Sequence, residues 1–265
     1  MPDSVRGLIV ATLTPFDNSD RLDFRALRRH VDFLLGSGVD GLAPCGTTGE
    51  FLYLSIGEKV RLIEATVAAA GDRVPVVAGI WSLHAREIAL LAKAAESAGA
   101  AAVFLQTPVY YPVSDDAIVA HYARVREACE LPLFAYNIPA YAANTISHDC
   151  LERMVEQGIV QGIKDSSGKK EQMSALLERF GDRITVLAAS DSFASEARKL
   201  GAHGFVSAMA NVRPDLLAKI WSGDDSLQSE VDELRSRVKQ SGGVPAIKQL
   251  AGEAGYSMGR ARIPQ

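Results

Sequence analysis

The chain has 265 residues, of which 48% are hydrophobic and 23% charged, and its formal net charge is −4. That apolar content supports a substantial core and excludes a disordered chain. With no block of clustered Lys and Arg to contact phosphates, nucleic-acid binding is excluded as well.

In chain order, short apolar runs alternate with longer amphipathic segments. Strands are predicted over residues 8–13, 41–43, 74–79, 102–106, 133–136, 160–164, 185–189 and 204–207. Helices are predicted over residues 24–35, 56–70, 85–98, 116–129, 147–157, 170–180, 193–200 and 214–220. Ser55 and Glu58 fit a capping box, and Ser147 opens the fifth helix. Gly99, Gly158, Gly181 and Gly201 close helices where a left-handed residue fits.

The strands are apolar almost throughout, which suits a parallel sheet covered on both faces. Eight strand–helix units point to an α/β fold, a (β/α)8 TIM barrel over residues 1–222. Residues 223–265 read as a short C-terminal helical extension packed on the barrel, with helices over 227–240 and 244–253. A doubly wound open sheet competes, but no GxGxxG follows the first strand.

Cys45, Cys129 and Cys150 are odd in number and far apart, and the five histidines stand singly. Neither a disulfide framework nor a metal site is predicted, and no cofactor is implied. No apolar run approaches the ~18 residues of a membrane helix. The opening Met1–Ser4 runs into a strand without a leader pattern, so a cytoplasmic location is expected.

In a barrel of this kind, chemistry lies at the carboxyl ends of the strands. The sixth strand delivers Lys164 there, within Gly162-Ile163-Lys164-Asp165-Ser166-Ser167-Gly168. A lysine carried from a buried strand into a pocket is desolvated, which favours the neutral amine that attacks a carbonyl. After the second strand comes Pro44-Cys45-Gly46-Thr47-Thr48-Gly49-Glu50. Gly46 permits close backbone approach, and Thr47 and Thr48 set hydroxyls beside N–H groups, a cradle for a small carboxylate. Tyr110 follows the fourth strand, and Tyr136-Asn137-Ile138-Pro139 ends the fifth. Together these supply an amine nucleophile, a carboxylate cradle and phenols for proton transfer, the set that imine formation requires.

The motifs at Gly46–Glu50, Tyr136–Pro139 and Gly162–Gly168, in this order, resemble the dihydrodipicolinate synthase and N-acetylneuraminate lyase superfamily. Leu13-Thr14-Pro15-Phe16, Leu200–Gly204 and Asn211 agree with it too. The resemblance spans essentially the whole chain. It implies a class I aldolase or lyase that uses pyruvate, or a 2-oxo acid that yields it, together with an aldehyde. By position, Lys164 forms the imine, Tyr136 relays protons, Thr47 links Tyr136 to Tyr110, and Thr48 and nearby N–H groups hold the carboxylate. Since the residue at the Tyr110 position serves a neighbouring subunit, the resemblance also implies a homodimer or homotetramer.

The sequence departs from that family at the distal pocket. Tyr141 stands where dihydrodipicolinate synthases carry an arginine that grips a second carboxylate. Asn137, Tyr141, Ser166 and Ser190, with Val206 on the eighth strand, are expected to line a neutral, hydroxyl-rich distal pocket. The leading expectation is therefore carbon–carbon bond cleavage or formation on a 2-oxo-3-deoxy acid. A dehydratase, a 4-hydroxy-tetrahydrodipicolinate synthase using the same imine, and a non-catalytic oxo-acid sensor are the alternatives.

Overall fold

A computed structural model describes residues 5–264, and Met1–Ser4, read above as running into the first strand, lies outside them. Eight strands alternate with eight helices. They are β1 (Gly7–Ala11), β2 (Gly41–Ala43), β3 (Val77–Gly79), β4 (Ala102–Gln106), β5 (Leu133–Asn137), β6 (Gly162–Asp165), β7 (Thr185–Ala188) and β8 (Gly204–Ser207). The helices between and after them are α1 (Phe24–Gly36), α2 (Ile56–Ala70), α3 (Ala85–Ala98), α4 (Asp115–Ala128), α5 (His148–Glu156), α6 (Lys170–Phe180), α7 (Ala194–Leu200) and α8 (Pro214–Trp221). The strands pair in parallel in the order β2-β1-β8-β7-β6-β5-β4-β3, and a Leu42↔Val76 bridge joins the two ends. This is a (β/α)8 TIM barrel.

Residue alternation along each strand separates two apolar layers. Ile9, Ala43, Val77, Phe104, Phe134, Leu187 and Val206 form the barrel interior. Leu8, Val10, Leu42, Val103, Ala135, Ile163 and Phe205 belong to the larger core beneath the helices. A Cβ on Gly162 would lie 2.3 Å from the Phe134 ring, so glycine there lets the large ring fill the interior.

Several predicted boundaries shift for identifiable reasons. β1 ends at Ala11 because Leu13 N–H donates to Asn211 Oδ1 and Thr14 Oγ1 donates to the Gly49 carbonyl. β6 begins at Gly162, because Val160 N–H still closes α5 through the Met154 carbonyl. The Ser55–Glu58 capping box forms, and Ser147 caps α5. Gly99 and Gly201 end α3 and α7 in the left-handed region, and Gly158 has φ 65° just beyond α5. Gly181 departs from expectation: its φ is −56°, and its N–H still bonds the Leu177 carbonyl, continuing the helical turn.

Asn211 closes the barrel between β1 and β8. Its amide nitrogen donates to the Ala11 and Ala208 carbonyls. Its oxygen accepts from Leu13 N–H and lies 3.0 Å from His30 Nε2. The imidazole must therefore be the donor. His30 Nδ1 is buried with no hydrogen-bond partner among the described residues. Burial holds the His30 imidazole down to about 4, against the hydrogen bond to Asn211.

The C-terminal segment adds α9 (Gln228–Gln240) and α10 (Val244–Glu253), then crosses back to the loop after β2. Lys248 Nζ lies 2.5 Å from Glu50 Oε1, with both side chains buried. Glu50 Oε2 accepts from the Arg262 and Ile263 N–H groups. Arg262 in turn bonds Glu58, Asp20 and the Tyr53 carbonyl. Lys248 and Arg262 both cover the Phe16 ring, at 4.2 and 4.1 Å from its centroid.

Two predictions follow from these buried groups. Below pH ~6.5 the unfolded chain protonates His30 while the native imidazole stays neutral to about pH 4. Stability is therefore complete above that window and falls as pH drops through it, by roughly 3 kcal/mol from this group. Urea unfolding between pH 7 and 4 should show that fall, flattened in His30→Gln; identical slopes would contradict it. Lys248→Met should lower unfolding stability by about 3 kcal/mol, because it strands a buried carboxylate. A loss below about 1 kcal/mol would mean that the Arg262 and Ile263 amides suffice.

Candidate active site

Pairing between β5 and β6 sets the centre of the site. Phe134 lies opposite Gly162, and Tyr136 lies opposite Lys164. Because side chains alternate, all four face the barrel interior, two rows deep. The upper row, Tyr136 and Lys164, is nearest the mouth formed by the strand ends. Lys164 is 6% exposed, and its Nζ lies 3.8 Å from the Tyr136 ring centroid and 5.1 Å from that of Phe104. Val206, Ile9, Ala43, Val77 and Leu187 join the two phenylalanines as an apolar floor under the amine.

The Tyr136 phenol is the hub of this cluster. Burial opposes its ionisation, but the Lys164 charge and hydrogen bonds with Thr47, Ser166 and Lys164 together hold it below the ordinary phenol value. A phenol so held gives up its proton more readily than a free one. Thr47 and Ser166, expected on separate grounds from different loops, thus converge on one oxygen.

The loop carrying Thr47 and Thr48 is a tight turn. Gly49 and Phe51 N–H groups donate to the Gly46 carbonyl, and Glu50 N–H donates to the Thr47 carbonyl. The Thr47 and Thr48 amides take no part in those turn bonds. A Cβ on Gly49 would lie 3.0 Å from the Thr12 carbonyl oxygen, so this glycine lets the turn sit against the end of β1. Cys45 and Glu50, at either side, both hold left-handed backbone, at φ 59° and 57°. Gly46 lies against the Phe104 ring edge, and Thr48 is buried.

Other expected residues fall elsewhere. Asn137 is the neighbour of inward-facing Tyr136, so it points to the helix side. It donates to Asp165 Oδ2 at 2.6 Å and accepts from Ile146 N–H. That removes it from the distal pocket and makes it a brace for the loops after β5 and β6. Ser190 Oγ lies 3.4 Å from Ser192 Oγ and against Gly168, on the β6–β7 side of the mouth. Tyr110 is 77% exposed, and its ring meets Tyr111. No hydrogen bond joins Tyr110 to Thr47 among the described residues of the single chain.

Tyr141 follows β5, whereas Ser190 follows β7. Tyr141 lines a cavity of about 360 Å³ whose inner end is Thr47 and Gln106. Gln106 was not singled out from the sequence. It pairs with Tyr136 in register and is 4% exposed, so it faces inward in the same row. The alternation from Phe104 was the signal that pointed to it.

Chemically, the arrangement offers one buried amine, a phenol disposed to exchange protons beside it, two hydroxyls on that phenol and a small turn whose own bonds do not use the Thr47 and Thr48 amides. The sequence profile described as the dihydrodipicolinate synthetase family matches residues 4–264. An uncharacterized DapA-like lyase of Halobacterium salinarum is 33% identical over 99% of this chain and 89% of its own length. A 4-hydroxy-tetrahydrodipicolinate synthase of Syntrophus aciditrophicus is 37% identical over 79% of this chain and 72% of its own. Among solved structures, the chloride-inhibited dihydrodipicolinate synthase of Acinetobacter baumannii, complexed with pyruvate, superposes with a TM-score of 0.93 at 29% identity. That match covers 98% of this chain and 92% of the other. With the profile running almost end to end over a barrel of the same form, the chain belongs to the dihydrodipicolinate synthetase family.

Proposed function

We propose that the protein is a class I, imine-forming lyase that makes or breaks the carbon–carbon bond next to pyruvate. The observation that carries this reading is the inward pairing of Lys164 with Tyr136, amine over phenol at 3.8 Å from the ring centroid. The amine attacks the ketone carbon, and a proton moved through Tyr136 to the carbinolamine oxygen lets water leave. The imine nitrogen then draws electrons from the adjacent carbon. Loss of a proton there gives an enamine, whose carbon adds to an aldehyde; the reverse steps cleave the product.

Thr47 and Ser166 orient the phenol, and the amides and hydroxyls of Thr47 and Thr48 hold the pyruvate carboxylate. The apolar floor that includes Val206 lies against the carbon end of the molecule. The product of such an addition is a 2-oxo-3-deoxy acid bearing a 4-hydroxyl, for which Ser166 and Ser190 offer partners. Tyr141 supplies no cation for a second carboxylate, which weighs against 4-hydroxy-tetrahydrodipicolinate synthesis. A cytoplasmic homodimer or homotetramer belongs to this reading: Tyr110, Tyr111 and Leu83 are each more than 70% exposed, and Tyr110 of a second copy would close the relay at Thr47.

Exchange of the pyruvate methyl hydrogens in heavy water reads enamine formation without any aldehyde. The wild-type protein should catalyse it, Lys164→Ala should abolish it, and Tyr136→Phe should slow it by at least ~10²-fold while remaining folded. Absence of exchange in the wild type would refute the imine. Undiminished exchange in Tyr136→Phe would strip that phenol of its role.

A further inference from the structure

The two residues that follow the reactive pair form a second pair on the other face of the barrel wall. Asn137 and Asp165 are register partners, directly after Tyr136 and Lys164. Strand alternation turns both toward the helices, and both are buried. Asp165 Oδ2 accepts from Asn137 Nδ2 at 2.6 Å. Its Oδ1 accepts from the N–H and the hydroxyl of Ser167. A carboxylate taken out of water needs donors on both oxygens, and here each oxygen has them.

Asn137 is held in turn. Its Oδ1 accepts from Ile146 N–H at 3.2 Å, and its carbonyl accepts from Ser166 N–H at 2.9 Å. Ser166 therefore sits between two residues, Asp165 and Ser167, that are joined through the carboxylate, while its own N–H is tied back to β5. The Asp165 carbonyl accepts from Ala189 N–H, which fixes the same loop to the end of β7. From this anchored position the Ser166 hydroxyl meets the Tyr136 phenol. Such a bond weakens steeply with misalignment, and proton transfer through the phenol demands the same precision.

We propose that Asp165 and Asn137 are positioning residues for the imine chemistry: together they hold Ser166 at the phenol and so aim the proton that Tyr136 moves. This rests on the imine proposed at Lys164. Both residues act through Ser166 rather than on the reacting atoms.

The polarity of the pair makes the assignment testable. An amide at position 165 has one accepting oxygen where the carboxylate has two. Asn137 cannot turn its own amide without giving up Ile146, and the Ser167 N–H cannot accept. Asp165→Asn therefore sets two donors against each other whichever way its amide lies. In the reciprocal exchange, Asn137→Asp with Asp165→Asn, the amide at position 165 again donates across the pair. The carboxylate at position 137 then keeps Ile146, and Ser167 keeps an accepting oxygen.

The test follows exchange of the pyruvate methyl hydrogens in heavy water. Asp165→Asn should lower kcat at least about tenfold while the KM for pyruvate stays within about twofold, since the Thr47–Thr48 turn is untouched. In a Tyr136→Phe background the same substitution should cost less than about twofold, because no phenol hydroxyl is left to aim. The reciprocal exchange should return kcat to within about threefold of the wild type. An unchanged kcat in Asp165→Asn, a loss carried by KM, or an equal loss with and without the phenol would each overturn the assignment. A reciprocal exchange no faster than Asp165→Asn would overturn it as well. If circular dichroism shows Asp165→Asn unfolded, Ser167→Ala takes its place and should slow exchange at least about threefold, only where Tyr136 is present. The absence of that loss would be equally decisive against the assignment. A wild type that does not exchange would remove the imine reading itself, and this assignment with it.

Discussion

The residue-for-residue pairing of β5 with β6 is the constraint on which the site depends. Strand alternation leaves a lysine only two choices, the barrel interior or the helix layer, and the Phe134–Gly162 pair fixes which. The Phe134 ring occupies the space a side chain at residue 162 would take, so the next inward row must be Tyr136 and Lys164. A slip of one residue would send Lys164 outward and bring Asp165 in its place. Two other lysines are as deeply buried, Lys59 and Lys248, and both are committed elsewhere. Lys59 donates to the Trp81 carbonyl, and Lys248 is paired with Glu50. Lys164 alone of the three stands in the barrel interior beside a phenol.

The loop after β2 meets the same site under a different constraint. Its backbone turns through two non-glycine residues in the left-handed region, Cys45 and Glu50. Such positions persist where surrounding contacts hold them. Thr14 grips the turn through the Gly49 carbonyl, and the C-terminal segment grips it through Glu50. The extension thus completes the wall of the barrel mouth: the segment that follows α10 fixes Glu50, in the same turn as Thr47 and Thr48. Glu50, the last residue of the motif, serves as the joint between the two ends of the fold.

Much of this was legible in the sequence because the signals were local. Apolar runs, caps and glycines mark all eight strands and the helices between them, and the motifs put Thr47, Tyr136 and Lys164 at the ends of β2, β5 and β6. What failed was pairwise geometry. Asn137 follows Tyr136 in a motif that suggests the pocket, whereas alternation turns it toward Asp165 and Ile146. The same alternation brings Gln106 in, with no motif to mark it. A hydroxyl-rich pocket was expected from Ser166, Ser190 and Tyr141 taken together. Neither serine lines the cavity that Tyr141 does, and that cavity is apolar because Leu52, Val109 and Val244 arrive there from parts of the chain far apart in sequence. Gly181 carried the letter of a left-handed stop but continues the helix, because its N–H still reaches Leu177.

The most direct measurement of the central claim is reduction of the full-length protein with borohydride in the presence of pyruvate, followed by peptide mapping. A carboxyethyl group on the peptide containing Lys164, with Lys59 and Lys248 unmodified, is the predicted result. Lys164 left unmodified, or label found on another buried lysine, would contradict the account.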